Sequence, residues 1–338
     1  MKAASPWSPE HHYVSSDEIH TLSAQCEAGF AAALSALRVP AELRDNLESF
    51  YMPLAVWLER AHTANKHPLV VGVCGGQGSG KSTLCSLLCE LLQSAFALRT
   101  LSFSIDDIYR THEERQRLAI EVHPLFATRG VPGTHDVTLG IELLDKLIGQ
   151  GVGQQTAIPV FDKAADTRSE PQAWREYEGP VDIILFEGWC VGATAQADAA
   201  LDDPVNELER DEDVNQVWRR CVNEALKGSY TDLFARLDLL VLLEVDNFER
   251  VFAWRQLQEH KLAERLGEEP SEHPPPRTMT DVEVARFIMH YERITRHILA
   301  EMPARADLVV HLDASHSAHH TTVRRRFSGR RANRPTGG

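Results

Sequence analysis

"GGQGSGKST", residues 75–83, directly follows the apolar run "LVVGVC" at residues 69–74. The spacing Gly-x-x-x-x-Gly-Lys-Ser is the complete phosphate-loop pattern. Its glycines let backbone N–H groups turn inward around phosphate oxygens, and the helix that follows directs its positive end at the same anion. Lys81 is expected to reach the outer phosphates, and the Ser82 hydroxyl to ligate Mg²⁺. The alternative is a glycine-rich turn without a ligand. The predicted nucleotide site comprises Gly75, Gly76, Gln77, Gly78, Ser79, Gly80, Lys81, Ser82 and Thr83.

Short apolar runs recur after the phosphate loop, and helical or loop segments separate them. Such runs are typical of buried parallel strands. Strands that alternate with helices predict a mostly parallel sheet with helices on both faces. The predicted fold class is therefore α/β, a three-layer sandwich of the P-loop NTPase type with a five-stranded sheet, its strands at residues 69–74, 98–105, 181–186, 237–245 and 306–312.

The segments that flank this sheet have a different character. Residues 1–66 are predicted to be an N-terminal helical layer, because helical periodicity places four apolar side chains on one face: Phe50, Leu54, Trp57 and Leu58. The sheet domain is placed at 67–315. The basic segment 316–338 lacks apolar periodicity, which predicts disorder, with an anion-binding arm as the alternative. Its histidine cluster at 316–320 is interpreted as a solvated tract rather than a metal site.

Composition excludes several classes of protein. The chain has 338 residues, 43% of them hydrophobic, and a formal net charge of −14, which disfavours nucleic acid or an anionic membrane as a partner. No apolar run reaches the roughly 18 residues of a membrane-spanning helix, and the N-terminus lacks the apolar core of a signal peptide, so we expect a cytoplasmic protein. The six cysteines form no C-x-x-C pair and are expected to be reduced.

Carboxylates follow two of the predicted strands at the point where each strand ends. Asp106 and Asp107 follow the second strand, and Glu187 follows the third. The carboxyl ends of parallel strands meet at the ligand crevice. Asp106 is therefore expected to accept a proton from a substrate hydroxyl or to hold Mg²⁺, and Glu187 to bind Mg²⁺. The alternatives are helix caps for the two aspartates and an ordinary loop carboxylate for Glu187.

Six motifs together resemble one family, the D-glycerate 3-kinases, within the larger group of phosphoribulokinase, uridine kinase and pantothenate kinase. The resemblance runs from about residue 50 to 313 and keeps the order of the family's motifs. They read "GGQGSGKST", "SIDDIY", "RGVPGTHD" (129–136), "IPVFDKAADTR" (158–168), "FEGW" (186–189) and "MTDVEVARFIMHYER" (279–293).

The resemblance implies a P-loop kinase domain that transfers the γ-phosphoryl group of ATP, with Mg²⁺, to a hydroxyl of D-glycerate. It implies Lys81 and Asp106 as catalytic residues, with Asp106 as the base. It also places a lid at about 247–278, in which Arg255 is the candidate to touch the transferring group. The alternating charges of this segment equally describe a solvated helix.

Glycerate is a small anion, so its pocket should offer cations and partners for hydroxyls. Arginine's planar fork matches a carboxylate bidentately. The alternatives are surface cations for the three basic residues and a structural role for the histidine. The predicted substrate-binding residues are Asp107, Tyr109, Arg129, His135, Asp136, Lys163 and Arg168.

Three other functions compete with this one. Phosphorylation of uridine or pantothenate stays open, because Ile108 stands where the family usually has an aromatic residue and the segment after "FDK" is short. A GTP-dependent switch needs an Asn-Lys-x-Asp motif, but Asn65-Lys66 is followed by His67 and Pro68. A silent nucleotide-binding regulator fits poorly with an intact set of Lys81, Ser82, Asp106 and Glu187. The expected partners are thus ATP and a small hydroxy acid.

Overall fold

The computed structural model describes residues 5–7, 15–268, 278–325 and 327. The strands of this described part are β1 (Leu69–Gly75), β2 (Thr100–Ser104), β3 (Gln155–Ile158), β4 (Phe161–Asp162), β5 (Thr167–Arg168), β6 (Arg175–Glu178), β7 (Ile183–Gly188), β8 (Leu239–Glu244), β9 (Leu308–Leu312) and β10 (Ala318–Val323). Its α-helices are α1 (Ser16–Ala36), α2 (Met52–Ala64), α3 (Lys81–Phe96), α4 (His112–Glu121), α5 (Val137–Gly149), α6 (Glu207–Glu212), α7 (Val217–Lys227), α8 (Ser229–Phe234), α9 (Phe248–Glu268) and α10 (Asp281–Glu301).

The central sheet has the strand order β10-β9-β8-β1-β7-β2. β1 lies between β8 and β7 and pairs in parallel with both, so that Val71 faces Leu239 on one side and Leu185 on the other. Every residue of β1 and β7 is buried, as expected where helices cover both faces of a sheet. The predicted α/β P-loop fold is confirmed. The same register brings the carboxyl ends of β2, β7 and β1 side by side at one edge.

A sixth strand, β10, pairs antiparallel with β9. The predictions of five strands, of a domain boundary at 315 and of disorder from 316 onward are therefore wrong over residues 318–323. The reason is visible in "AHHTTV": Thr321 and Val323 alternate toward the interior, and the Thr321 N–H donates to the Pro6 carbonyl at 2.9 Å. Because threonine and histidine are polar, a search for alternating apolar residues does not detect this strand. Residues 326 and 328–338 lie outside the described residues.

The histidine cluster at 316–320 also departs from its prediction. His316 stacks on Trp254 of α9, with ring centroids 4.0 Å apart. The Trp254 indole N–H donates to the Ala314 carbonyl at 3.2 Å. The interpretation of the cluster as a solvated tract is therefore wrong for His316, which joins the β9–β10 turn to α9.

The described part of segment 1–66 is helical and packs on α3. The hydroxyl of Ser15 caps α1 by accepting the Glu18 N–H at 3.2 Å. Phe30 and Trp57 are buried, and the Trp57 indole N–H donates to the Arg325 carbonyl at 3.2 Å. Full burial of such a side chain contributes about 1.5–3 kcal/mol, so this layer adds stability rather than chemistry. The predicted apolar face is confirmed, since its four side chains are buried: Phe50, Leu54, Trp57 and Leu58.

Two small hairpins lie between α5 and β7. β3 pairs with β6, and β4 pairs with β5. The tip of the β4–β5 hairpin is closed by the Asp162 carboxylate, which accepts the N–H groups of Ala164 and Ala165 at 2.8 and 3.0 Å. This closed turn carries Lys163 to the carboxyl edge of the sheet.

Along the described ranges, no helix has the length and apolar content that crossing a bilayer requires. The six cysteines are free thiols, and burial raises the pKa of Cys74 to about 12.

Candidate active site

The phosphate loop connects β1 to α3. Gly78 and Gly80 adopt positive φ angles of 77° and 86°, a conformation that glycine reaches without steric cost. A Cβ atom at Gly78 would lie 2.9 Å from the Trp254 side chain, so α9 covers the loop closely. The Lys81 ammonium donates to the Gly76 carbonyl at 3.0 Å. The loop therefore has the backbone form of a phosphate cradle.

Ser82 and Glu187 meet at the foot of this loop. The Ser82 hydroxyl donates to Glu187 Oε1 at 2.7 Å, and Glu187 is only 6% exposed near the end of β7. Both groups present hard oxygen atoms, which suit Mg²⁺ when it also keeps water and phosphate ligands. The donor set fits the predicted metal.

Asp106 lies two residues beyond β2, in a 3₁₀ turn at Ile105–Ile108. Its Oδ2 accepts a hydrogen bond from Lys163 Nζ at 3.2 Å. Burial opposes ionisation of Asp106, but the Lys163 charge and the hydrogen bond from the Tyr109 hydroxyl outweigh it and lower the pKa. The carboxylate is therefore ionised at neutral pH and sits at the edge of the sheet where β1 and β7 also end.

Asp107 has a different environment. Its Oδ2 accepts the Ser104 N–H at 2.9 Å while the Ser104 hydroxyl caps the same 3₁₀ turn. Burial raises its pKa, against the effects of the Ser104 N–H and of Arg175 3.9 Å away. Asp107 thus makes the capping contacts of the alternative interpretation, and its predicted contact with substrate stays a prediction.

Tyr109 and His135 form a stacked pair next to Asp106. Their ring centroids are 4.4 Å apart, and both side chains are buried. Burial lowers the pKa of His135 to about 3, so the imidazole is neutral at physiological pH. Its Nδ1 lies 2.5 Å from the Tyr230 hydroxyl. His135 is therefore held rigidly beside the candidate base.

The predicted substrate cations are paired with aspartates. Arg129 pairs with Asp166, which also binds Arg115. Arg168 Nη1 lies 3.2 Å from Asp136 Oδ2, while Asp136 caps α5 through the Leu139 N–H. The structure thus places Lys163 in the β4–β5 hairpin and pairs Arg129 with Asp166 of the same hairpin, but it ties Arg168 and Asp136 to each other.

Two residues that the sequence analysis missed organise this side of the cleft. Asp166 has a φ of 53°, which is uncommon for a residue other than glycine, and its carboxylate holds Arg115 and Arg129 together. Tyr291 of α10 donates to the Arg129 carbonyl at 3.0 Å and also bonds the Gln77 side chain. Both residues lie inside quoted motifs, but only long-range contacts reveal their roles.

Arg255 lies on α9, within the predicted lid. Its guanidinium pairs with Glu259 at 2.7 Å and lies 5.6 Å from the Phe287 ring centroid. Val251 of the same helix would contact a Cβ atom at Gly76 at 2.6 Å. The helix therefore rests on the phosphate loop. The part of the predicted lid at 269–277 lies outside the described residues.

Comparison with known proteins identifies relatives along most of the chain. No family model matches. The uncharacterized kinase mug58 of Schizosaccharomyces pombe is 32% identical over 255 residues, which is 73% of this chain and 86% of that protein. The chloroplastic D-glycerate 3-kinase of Arabidopsis thaliana is 27% identical over 81% of this chain and 60% of that protein.

Solved structures agree with these relatives. The D-glycerate 3-kinase of Cryptococcus neoformans var. grubii serotype A superposes with a TM-score of 0.66 and 26% identity, over 81% of this chain and 98% of that structure. The likeness therefore covers most of this chain and nearly all of that structure. On these grounds the chain belongs to the glycerate kinase-like family of P-loop kinases.

Proposed function

We propose that this protein transfers the γ-phosphoryl group of ATP, with Mg²⁺, to a hydroxyl of D-glycerate or a closely similar small hydroxy acid. One observation carries the proposal: an ionised aspartate, Asp106, is paired with Lys163 at the same sheet edge as the phosphate loop. This arrangement offers a proton acceptor and a cation to an acidic alcohol. The relatives named D-glycerate 3-kinase support the choice of acceptor.

The loop at 75–83 is assigned to ATP. Lys81 exchanges its bond to the Gly76 carbonyl for phosphate oxygens, where it offsets the charge of the transferring group. Ser82 and Glu187 would hold Mg²⁺, which shields phosphate charge when bound. Asp106 is assigned the role of base rather than metal ligand, since its recorded partners are Lys163 and Tyr109.

In the proposed reaction the substrate hydroxyl oxygen forms a bond to the γ-phosphorus as the bond from that phosphorus to the β–γ bridging oxygen breaks. ADP leaves with the electron pair of that bond, and the hydroxyl proton passes to the Asp106 carboxylate. Transfer of this kind depends mainly on positioning and charge stabilisation, because the transition state is loose. Arg255 is proposed to approach the phosphoryl group after its ion pair with Glu259 opens.

The carboxylate of the acceptor is assigned to Lys163 and Arg129. Lys163 has an exposed side chain, and Arg129 is only partly buried, so both can meet a small anion. His135 and Tyr109 form the adjoining wall. Direct contacts from Asp107, Asp136 and Arg168 would require these side chains to exchange their existing partners.

The test is a screen for acceptor-dependent ADP release with D-glycerate, uridine and pantothenate. We expect D-glycerate to give the highest kcat/KM, and we expect Asp106→Asn to abolish most of that signal. Lys66→Ala, at an exposed site before β1, is the control. Turnover of uridine or pantothenate alone would leave a kinase but overturn the acceptor. An absence of turnover with all three acceptors would contradict the proposal.

A further inference from the structure

His135 carries a buried nitrogen with no partner among the described residues. The side chain is 1% exposed, its Nδ1 meets the Tyr230 hydroxyl, and its Nε2 makes no hydrogen bond. An orphaned polar atom of this kind is costly unless something in the working protein satisfies it. The first question is whether Nε2 is a donor or an acceptor.

The hydroxyl of Tyr230 settles this question. A phenol oxygen donates one proton and accepts at most two. The Gly133 N–H donates to this oxygen at 3.0 Å. Backbone N–H groups are donors and cannot take the phenol proton, and Nδ1 of His135 is the acceptor that the described residues offer it, so the Tyr230 hydroxyl donates to Nδ1. Because the neutral ring has one proton, that proton is on Nε2.

Nε2 therefore has an N–H group, on a ring that lies next to the candidate base. Tyr109 stacks on His135 and hydrogen-bonds Asp106, and the Asp106 charge acts on the imidazole. Burial keeps the ring uncharged, with Arg110 adding to that effect. A ring that already has its proton on Nε2 cannot accept another from substrate, which excludes His135 as a competing base.

We propose that Tyr230 is a positioning residue that fixes the tautomer of His135, and that the neutral imidazole donates its Nε2–H to an oxygen of the acceptor beside Asp106. The second half rests on the function proposed above, whereas the tautomer does not. The ligand chemistry is a hydroxyl or carboxylate oxygen of a small hydroxy acid. Asp106 takes the proton of the reacting hydroxyl, and His135 holds the substrate by donating a hydrogen bond.

The tautomer is tested by long-range ¹H–¹⁵N correlation NMR on the full-length protein, with the His135 signals assigned by their loss in His135→Gln. We expect a protonated Nε2 and an unprotonated Nδ1, and a mixture of tautomers in Tyr230→Phe. A protonated Nδ1 in the unmodified protein would overturn the proposal. Tyr177→Phe is the matched control, because it removes a hydroxyl that bonds the Pro180 carbonyl in a different hairpin.

Kinetics with D-glycerate test the donated hydrogen bond. We expect KM for D-glycerate to rise about 3- to 10-fold in Tyr230→Phe and about 10- to 100-fold in His135→Leu, with KM for ATP unchanged. His135→Gln, whose amide nitrogen reaches the position of Nε2, should recover part of the loss. Thermal unfolding checks that each variant is folded.

The outcomes separate the two proposals. If the unmodified protein does not phosphorylate D-glycerate, the proposed function fails while the NMR experiment still decides the tautomer. If D-glycerate is a substrate and His135→Leu binds it normally, the hydrogen bond from Nε2 is wrong. Equal KM values for His135→Gln and His135→Leu would also contradict it.

Discussion

The nucleotide side of the cleft consists of one continuous stretch of backbone, whereas the acceptor side consists of ion pairs and ring contacts among separate segments. The phosphate loop uses residues 75–83 and the helix that follows. The acceptor side joins residues 106–109, 129–136, 162–168 and Tyr230. Almost every residue type offers a backbone N–H donor, so the phosphate loop can bind its nucleotide whichever small molecule accepts the phosphoryl group. Ion pairs and ring contacts depend on which side chains are present, so we expect these side chains to determine which substrate is accepted.

The comparison predicts its largest effect at Asp106, where the acceptor side meets the reacting atoms. We expect Asp106→Asn to lower kcat by about 10²- to 10⁴-fold, the usual range for a lost general base, with ATP affinity nearly unchanged. Asp107→Asn is the matched control and should be milder, because that side chain caps a turn. Steady-state kinetics and nucleotide titration with and without Mg²⁺ measure both. If Asp107→Asn is the more damaging change, the roles must be exchanged.

On the nucleotide side the largest effect is expected at Lys81. Removing a group that stabilises charge in the transition state typically lowers kcat by about 10²- to 10³-fold, and we expect Lys81→Ala to fall in or above this range while folding normally. Activity assays and circular dichroism provide the measurements. Lys66→Ala, with an exposed side chain, should behave as the unmodified protein. Near-normal turnover in Lys81→Ala would contradict the site assignment.

Arg129 distinguishes the two sides of the cleft, because its substitution should affect the acceptor and not ATP. Loss of a charge-assisted hydrogen bond costs about 1.5–3 kcal/mol, so Arg129→Ala should raise KM for the acid acceptor by about 10- to 150-fold and leave KM for ATP alone. Arg236→Ala is a suitable control, since Arg236 pairs with Asp145 on the surface. Equal effects on both substrates would mean that Arg129 is structural.

Tyr291 contacts both sides of the cleft, so its substitution should change the KM values of both substrates, and by less than the Arg129 change does. Its hydroxyl contacts the Arg129 carbonyl and the Gln77 side chain. A net hydrogen bond contributes about 0.5–1.5 kcal/mol, so Tyr291→Phe should raise both KM values by about 2- to 12-fold. A change in only one of the two KM values would show that this hydroxyl serves one side of the cleft and does not join the two.

We expect the smallest change in kcat at neutral pH for Lys163→Gln. The effect of this substitution should instead be visible in the pH dependence of kcat/KM. Asp106 has a pKa below its ordinary value of 3.8, so it is ionised above that pH and loses its charge only on strong acidification. Without the Lys163 ammonium, burial still favours the neutral acid, so the pKa of Asp106 rises. The acid limb of kcat/KM should move to higher pH. An unmoved limb would mean that Lys163 does not influence the base.

Part of this picture could be predicted from local patterns. Apolar strands that alternate with helices predicted five of the six strands of the central sheet, and the glycine spacing located the phosphate loop. β10 was not predicted, because its inward residues include the polar Thr321, whose N–H bonds the Pro6 carbonyl near the other end of the chain. Asp166 and Tyr230 were missed for the same reason, since their partners lie far away in sequence.

Elements whose physics is local can be inferred from the sequence alone: the parallel strands, the glycine turn and the carboxylates near the carboxyl ends of β2 and β7. The folded structure was needed to show which of two adjacent aspartates pairs with a lysine and which caps a turn. It also decided which nitrogen of His135 has a partner. The reason is that burial, ion pairing and the direction of a hydrogen bond depend on groups that distant segments bring together, and neither periodicity nor spacing records those distances.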